Sequence, residues 1–375
     1  MYSLECILNK IVIYSEIKWD FLDQRHHHLA RYAAGTGLKV EFVERVVSRV
    51  PEFRDLLRRF KELFVAKAGV LGDVPKPVPH GILLRRSRFL PPVNTISRGI
   101  NNIVWLIFER RRQQGAWVYS FVDNPAVTGI KMFSLRGTTS TFDIIHNWWD
   151  FPWNTNIHSQ LVSRCIEGFR SVVTDSPSIS EKLDVVGVEH HLMLPGVNKE
   201  WLGIAGIYGQ PKVVFFGNLR SNSDIPLVKK ISEIFSLDAF GVLDQSVENE
   251  VCNVNFKGSL LADELVKRVS DYNVILLPYK DDGFSRTIAP AKYFESLATG
   301  ALVVTMSDMS HLPGFQDYVL HVKDLGRISD TLCRALEEHS AKREAQIEFA
   351  KQHTWEKRFK ELFEYIDVVG DEDGK

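Results

Sequence analysis

Cysteine is scarce in this chain: four in 375 residues, at Cys6, Cys165, Cys252 and Cys333, scattered and without a CxxC pair. That excludes a disulfide-stapled scaffold and a cysteine zinc centre, and it implies a reducing compartment. No apolar run approaches the ~18–20 residues that cross a bilayer. No basic segment followed by a long apolar run opens the chain, so the expected location is the cytoplasm. No GxGxxG follows an apolar run, which removes a dinucleotide-dependent oxidoreductase. The three adjacent histidines, His26 to His28, do not make a metal centre, because helical neighbours point about 100° apart.

An excess of charge of either sign is missing too, with 46 Lys+Arg against 47 Asp+Glu. The balance is uneven along the chain. Residues 1–200 hold 26 basic and 20 acidic side chains, and residues 51–115 alone hold 13 against 5. A basic region on one half of a near-neutral protein suits an anionic acceptor or a membrane surface better than nucleic acid, and a solvated face reads the same way.

What is present is a soluble α/β pattern, 45% hydrophobic and 25% charged, long enough for two domains. The most informative stretch runs from Asn273 to Thr305. Val274–Leu277 and Ala301–Thr305 are apolar without alternation, as strands buried inside a parallel sheet are. Between them lie a polar loop and a short helix stopped by Gly300. In open α/β sheets ligands bind beyond the carboxyl ends of the strands, which places a ligand at the loop from Pro278 to Pro290. That loop carries Ser285, Arg286 and Thr287. Pro290 opens the helix, Lys292 stands in its first turn, and Glu295 follows on the same face. A cation at a helix N-terminus is unfavourable unless an anion lies there. A phosphate fits, and a carboxylate one turn on can accept hydrogen bonds from ribose hydroxyls.

The run Pro290-Ala-Lys292-Tyr-Phe-Glu295-Ser-Leu-Ala-Thr-Gly300-Ala-Leu-Val-Val resembles the P-x-K-x-x-E-x-x-A-x-G-x-x-V-V signature of GT-B glycosyltransferases. The resemblance implies that Glu295 binds the ribose of a nucleotide-sugar and that Lys292 and the helix start hold its diphosphate. It also implies a fold of two Rossmann-like domains facing each other across a cleft. One departure stands out: retaining members carry an acid eight residues before the ribose Glu, and Thr287 occupies that position here.

Elsewhere the pattern is consistent with this resemblance. Lys10–Tyr14 reads as the first strand, a helix follows and ends near Gly35, and Val40–Val43 is the second strand. The W-x-F-x-x-Q-R-x-x-x-L-A pattern from Trp19 resembles the start of bacterial members, so Asp20, Gln24, Arg25 and His26 are expected at the acceptor or the donor phosphate. Residues 51–70 suit an amphipathic helix, and Gly72 to Pro92, rich in proline, reads as a loop excursion. Ile100–Arg112 reads as a helix ending in arginines. His146 and Asp150 follow a strand ending at Ile145, and either can serve as general base for an inverting transfer. In the second half, Gly217, Asn218 and Arg220 follow the strand Lys212–Phe216, with Arg220 carried over as the diphosphate contact.

The expected division is an acceptor domain over 1–200, a donor domain over 201–353, and a terminal helix with polar tail over 354–375, the helix returning to the first domain. A linker is expected at 200–211. The resemblance implies transfer of a sugar from a nucleotide-sugar to a glycan or glycolipid in bacterial surface polysaccharide synthesis. Arginine and lysine substitute for a metal, no cofactor is expected, and peripheral contact with the inner membrane is. The competing readings are a non-catalytic nucleotide-sugar-binding partner subunit of the same fold and an unrelated two-domain enzyme such as an epimerase.

Overall fold

The computed structural model describes residues 9–46, 76–89, 98–122, 138–145, 156–220 and 222–372. The chain forms two compact units, one of residues 1–193 with 359–375 and one of residues 194–358.

In unit 1 the strands are β1 (Lys10–Tyr14), β2 (Lys39–Glu44), β3 (Ile82–Arg86), β4 (Trp117–Ser120), β5 (Thr139–Ile144), β6 (Ser171–Thr174) and β7 (His191–Leu192). They make one sheet in the order β3-β2-β1-β4-β5-β6-β7, parallel at every pairing. Its helices are α1 (Arg25–Gly35), α2 over residues 98–113, α3 (Asn156–Gly168) and α4 (Pro177–Val185). Within α2 the turn Trp105–Glu109 is wound as a π-helix. Val12, Tyr14, Val118, Phe142 and Ile144 on the strands are fully buried, which explains why these runs do not alternate with polar residues.

Unit 2 repeats the plan. Its strands β8 (Val213–Phe216), β9 (Leu237–Phe240), β10 (Asn255–Gly258), β11 (Val274–Leu276), β12 (Leu302–Thr305) and β13 (Val319–His321) lie in the order β10-β9-β8-β11-β12-β13. All are parallel. The helices are α5 (Ile225–Ile234), α6 (Ala262–Val269), α7 (Ala291–Thr299), α8 (Phe315–Tyr318), α9 (Ile328–His339) and α10 (Arg343–Lys351), and a last helix, α11 (Trp355–Glu372), starts in unit 2 and from Phe359 onward belongs to unit 1. Helix α7 ends where Gly300 takes a left-handed conformation at φ 74°. In each unit the strand order reverses beside the first strand, at β1/β4 and at β8/β11. Those are the switch points where doubly wound sheets bind ligands.

Several expectations need revision. The proline-rich excursion contains a strand: Ile82–Arg86 pairs in parallel with Val40–Glu44 at the sheet edge. Its arginine-rich end and flanking prolines hide it in the sequence. The segment 200–211 is bonded into unit 2, since Gly203, Ala205 and Gly206 donate to the carbonyls of Ala298, Thr299 and Tyr272. Arg343 holds it from the other side through the Gly203 and Ala205 carbonyls, at 3.0 and 2.8 Å. Helix α11 carries Phe359 and Phe363 onto Tyr32 and Trp117 of unit 1 and runs to Glu372, into the expected polar tail. The helix expected over 51–70 and the loop carrying His146 and Asp150 lie outside the described residues.

Candidate functional site

At the β8/β11 switch point of unit 2 lies a cavity of about 200 Å³. Strand β8 brings Phe215 to it, and Asn218 and Arg220 follow in the next loop. Strand β11 continues into Leu277, Pro278 and Tyr279 on the other side. Ser223 pairs with Tyr279, and the Asp224 amide donates to the Pro278 carbonyl at 2.9 Å, tying the start of α5 to the end of β11. Lys292 in the first turn of α7 completes the lining.

Two glycines make this arrangement possible. Gly217 has φ 127°, and a Cβ there would stand 1.8 Å from the Lys292 Nζ. The lysine therefore lies across bare backbone. Gly241, at the end of β9, has φ 149°, and a Cβ there would stand 1.8 Å from the Gly217 carbonyl oxygen. Both conformations also disfavour any side chain, so the two positions need glycine twice over.

The electrostatics around the cavity favour negative charge. Helix α7 has no side-chain cap at its N-terminus, so the positive end of its dipole borders the cavity beside the Lys292 ammonium and the Arg220 guanidinium. Among the described residues Lys292 makes no ion pair. Lys292 and Glu295 each keep some surface open, yet protein crowds closely around both. That crowding pulls the Lys292 ammonium below its ordinary range; Glu295 works against the shift and Arg220 adds to it. Burial lifts the Glu295 carboxyl to about 7, with Lys292 partly opposing. The half-buried Tyr279 phenol is raised as well, first by the protein crowded around it and then by the charge of Glu295.

Gly217, Asn218, Arg220, Lys292 and Glu295 are thus gathered at one strand-end site. Arg286 is engaged elsewhere, in a two-point ion pair with Asp281 at 3.0 and 2.8 Å on an exposed part of the loop. The Thr287 hydroxyl donates to the Phe284 carbonyl at 2.8 Å. Asp282 caps the same loop, accepting from the Ser285 amide and hydroxyl, each at 2.9 Å. Sequence reasoning passed over Asn222, Ser223 and Tyr279 as lining residues, and over Gly241. The strand-end rule that placed a ligand at the loop from Pro278 to Pro290 also reaches Tyr279, two residues beyond the apolar run.

In unit 1, Arg25 is buried. Its Nε pairs with Asp143 at 2.9 Å, its Nη1 donates to the Met193 carbonyl at 2.6 Å, and the Tyr119 hydroxyl donates to the same Asp143 oxygen at 2.5 Å. His26 packs its ring on Phe121 with centroids 3.7 Å apart. The Gln24 backbone N–H opens α1 by donating to His27 Nδ1 at 3.1 Å, and Asp20 accepts from the Lys76 backbone N–H at 3.0 Å. Arg25 and His26 therefore join α1 to the ends of β4 and β5, while Asp20 stays exposed. Among the described residues no group of His, Cys, Asp and Glu is arranged to hold a metal ion.

No protein-family model matches the sequence, and no curated protein matches it. Solved structures do. A glycosyltransferase from Rickettsia africae superposes with a TM-score of 0.62 at 11% identity, over 96% of this chain and 98% of that one. The chain has the GT-B fold. Anabaena HepE, solved with UDP and glucose, superposes at 0.61 with 11% identity, over 95% of this chain and 98% of that one. WaaG, a glycosyltransferase involved in lipopolysaccharide biosynthesis, gives 0.61 and 11%, over 95% and 99%.

Proposed function

We propose that the protein is a glycosyltransferase that moves a sugar from a nucleotide-sugar to a glycan or lipid-linked glycan. The observation that carries this is the cavity at the β8/β11 switch point, where Arg220, Lys292 and the uncapped end of α7 converge with Glu295 one turn further on. At about 200 Å³ the cavity suits the diphosphate end of a donor; whole small-molecule sites are larger, roughly 300–1,000 Å³. The Glu295 carboxylate would accept from ribose hydroxyls. HepE, a GT-B neighbour, was solved with UDP and glucose, which supports a nucleotide donor.

In the transfer the bond from the anomeric carbon to the phosphate oxygen breaks and the electrons stay with the nucleoside diphosphate. The acceptor oxygen bonds to the anomeric carbon, and its proton passes to a base. Arg220, Lys292 and the helix dipole stabilise the charge that grows on the leaving diphosphate, the part a metal ion plays elsewhere. His146 and Asp150 are the proposed bases. The acceptor belongs to bacterial surface polysaccharide synthesis, and the enzyme works at the cytoplasmic face of the membrane.

One observation favours the non-catalytic alternative. Thr287, where retaining relatives of the resembled family hold an acid, is spent on a loop hydrogen bond to Phe284. Release of nucleoside diphosphate from UDP-, GDP- and TDP-sugars, or of CMP from CMP-sugars, separates the two. An enzyme hydrolyses one of them slowly even without acceptor, and His146→Ala or Asp150→Asn abolishes turnover while sparing binding. Tight binding of one donor without any turnover, with or without a bacterial lipid extract as acceptor, assigns the non-catalytic role.

A further inference from the structure

Helix α2 is amphipathic the wrong way round. Its inward stripe is Asn101, Trp105, Glu109 and Gln113, three of the four polar and all buried. Its outward face holds Ile100, Ile103, Leu106 and Ile107, with Phe108 beside them, between 39% and 62% exposed. The inward stripe repeats every four residues. A 3.6-residue helix drifts off such a spacing, and the wider π-helical turn at Trp105–Glu109 corrects the drift.

The buried polar groups are satisfied, so the helix is not free to roll its apolar face inward. The Gln113 amide donates to the Tyr14 hydroxyl at 2.7 Å, and that hydroxyl donates to Glu109 at 2.8 Å. Arg85 on β3 pairs with the other Glu109 oxygen at 2.6 Å, and the Trp105 indole donates to Gln113 at 2.7 Å. Rotation would bury or strand each of these groups, at a cost apolar burial does not recover.

The rim of the apolar face carries charge of one sign. Arg88, Arg110 and Arg111 are exposed, and the Arg88 guanidinium lies 4.5 Å from the Phe108 ring centroid. The single acid in residues 81–89 and 98–114 is Glu109, which is buried and paired. Leu83 on the edge strand β3 is exposed as well, at 54%. A second copy of the chain seated here across a two-fold axis would bring like charges together. An anionic lipid surface matches both features, since apolar side chains enter the headgroup boundary while arginines meet phosphates.

We propose that the outward face of α2, with Arg88 just beyond β3, is a docking surface for an anionic membrane. This extends the proposed lipid-linked acceptor but stands on unit 1 alone. The test is sedimentation of the full chain with phosphatidylcholine vesicles containing about one-third phosphatidylglycerol, and with pure phosphatidylcholine. The expected result is binding to the anionic vesicles, weakened by salt and absent on neutral ones. Leu106→Asp with Ile107→Asp should abolish it, and Arg88→Gln with Arg110→Gln and Arg111→Gln should weaken it roughly a hundredfold. Both variants should melt as the wild type does and keep its nucleotide-induced thermal shift. Wild-type protein that ignores anionic vesicles overturns the proposal, as does equal binding to neutral vesicles or undiminished binding by the variants. A dimer broken by Ile107→Asp, with no vesicle binding, would assign the face to a second copy. Vesicle binding without any nucleotide shift would leave this surface standing and remove the donor site.

Discussion

The Lys292 ammonium lies over the backbone of Gly217, at the place where any other residue would carry its Cβ, 1.8 Å away. A buried strand end, a glycine and a helical lysine from 75 positions later in the chain together leave at a helix N-terminus a cation with no ion pair among the described residues.

Substitution of Gly217 tests that relationship. Gly217→Ala displaces the lysine tail and imposes a left-handed conformation on alanine, which costs about 1–3 kcal/mol. Gly241→Ala meets a backbone carbonyl rather than a flexible side chain, so it should lower the melting temperature more. Paired thermal melts of the two variants check the order. Gly217→Ala should also lose nucleotide affinity at a temperature where it remains folded.

Removal of the cations should weaken binding without unfolding the protein. Lys292→Met and Arg220→Ala each delete one charge-assisted contact of about 1.5–3 kcal/mol, so calorimetric affinity for nucleoside diphosphate should fall roughly tenfold to a hundredfold. Affinity for the free nucleoside should change little. Lys292→Met should raise the melting temperature of the ligand-free protein, because a crowded, unpaired ammonium is removed.

Glu295 gives the site a pH dependence. Its folded pKa of about 7 lies above the ordinary 4.5. The folded state therefore holds a proton that the unfolded state has already lost between these values. The carboxyl's contribution to stability falls as pH rises through that window and is level above it. Glu295→Gln should accordingly stabilise the ligand-free protein more at pH 8 than at pH 5. Nucleotide affinity should move in the opposite sense, rising from pH 5.5 to 7.5 as the ribose-binding carboxylate forms, and Glu295→Gln should flatten that rise.

Asp143 should behave as a structural group. Asp143→Asn leaves the buried Arg25 guanidinium without its counter-charge, a loss of about 3–5 kcal/mol. The melting temperature should drop by many degrees while calorimetric nucleotide affinity at low temperature stays at the wild-type value.

How far the sequence could be read depended on whether the deciding contacts are local. The unit β11–α7–β12 was legible because Val274–Leu277 and Ala301–Thr305 do not alternate and Gly300 stops the helix between them. Lys292 and Glu295 followed from position alone. Strand β3 was not legible, since Ile82–Arg86 is a sheet edge whose partner lies about 40 residues earlier. Arg25 sits at the start of a helix, where side chains usually face solvent, and nothing nearby announces a counter-ion 118 residues further on. Gly241 looks like an ordinary strand end until the Gly217 carbonyl is placed against it. The inverted face of α2 was hidden for the same reason, because its polar stripe makes sense only beside Tyr14 and Arg85.

The most direct test of the donor site is a thermal-shift panel of UDP-, GDP-, TDP- and CMP-sugars, without added metal, on wild type and Glu295→Ala. A ligand that binds only the folded state raises the melting temperature by mass action. The predicted result is a rise with one nucleotide class that disappears in Glu295→Ala. No rise with any of the four, or an equal rise in the variant, would contradict a nucleotide-sugar site at the β8/β11 switch point.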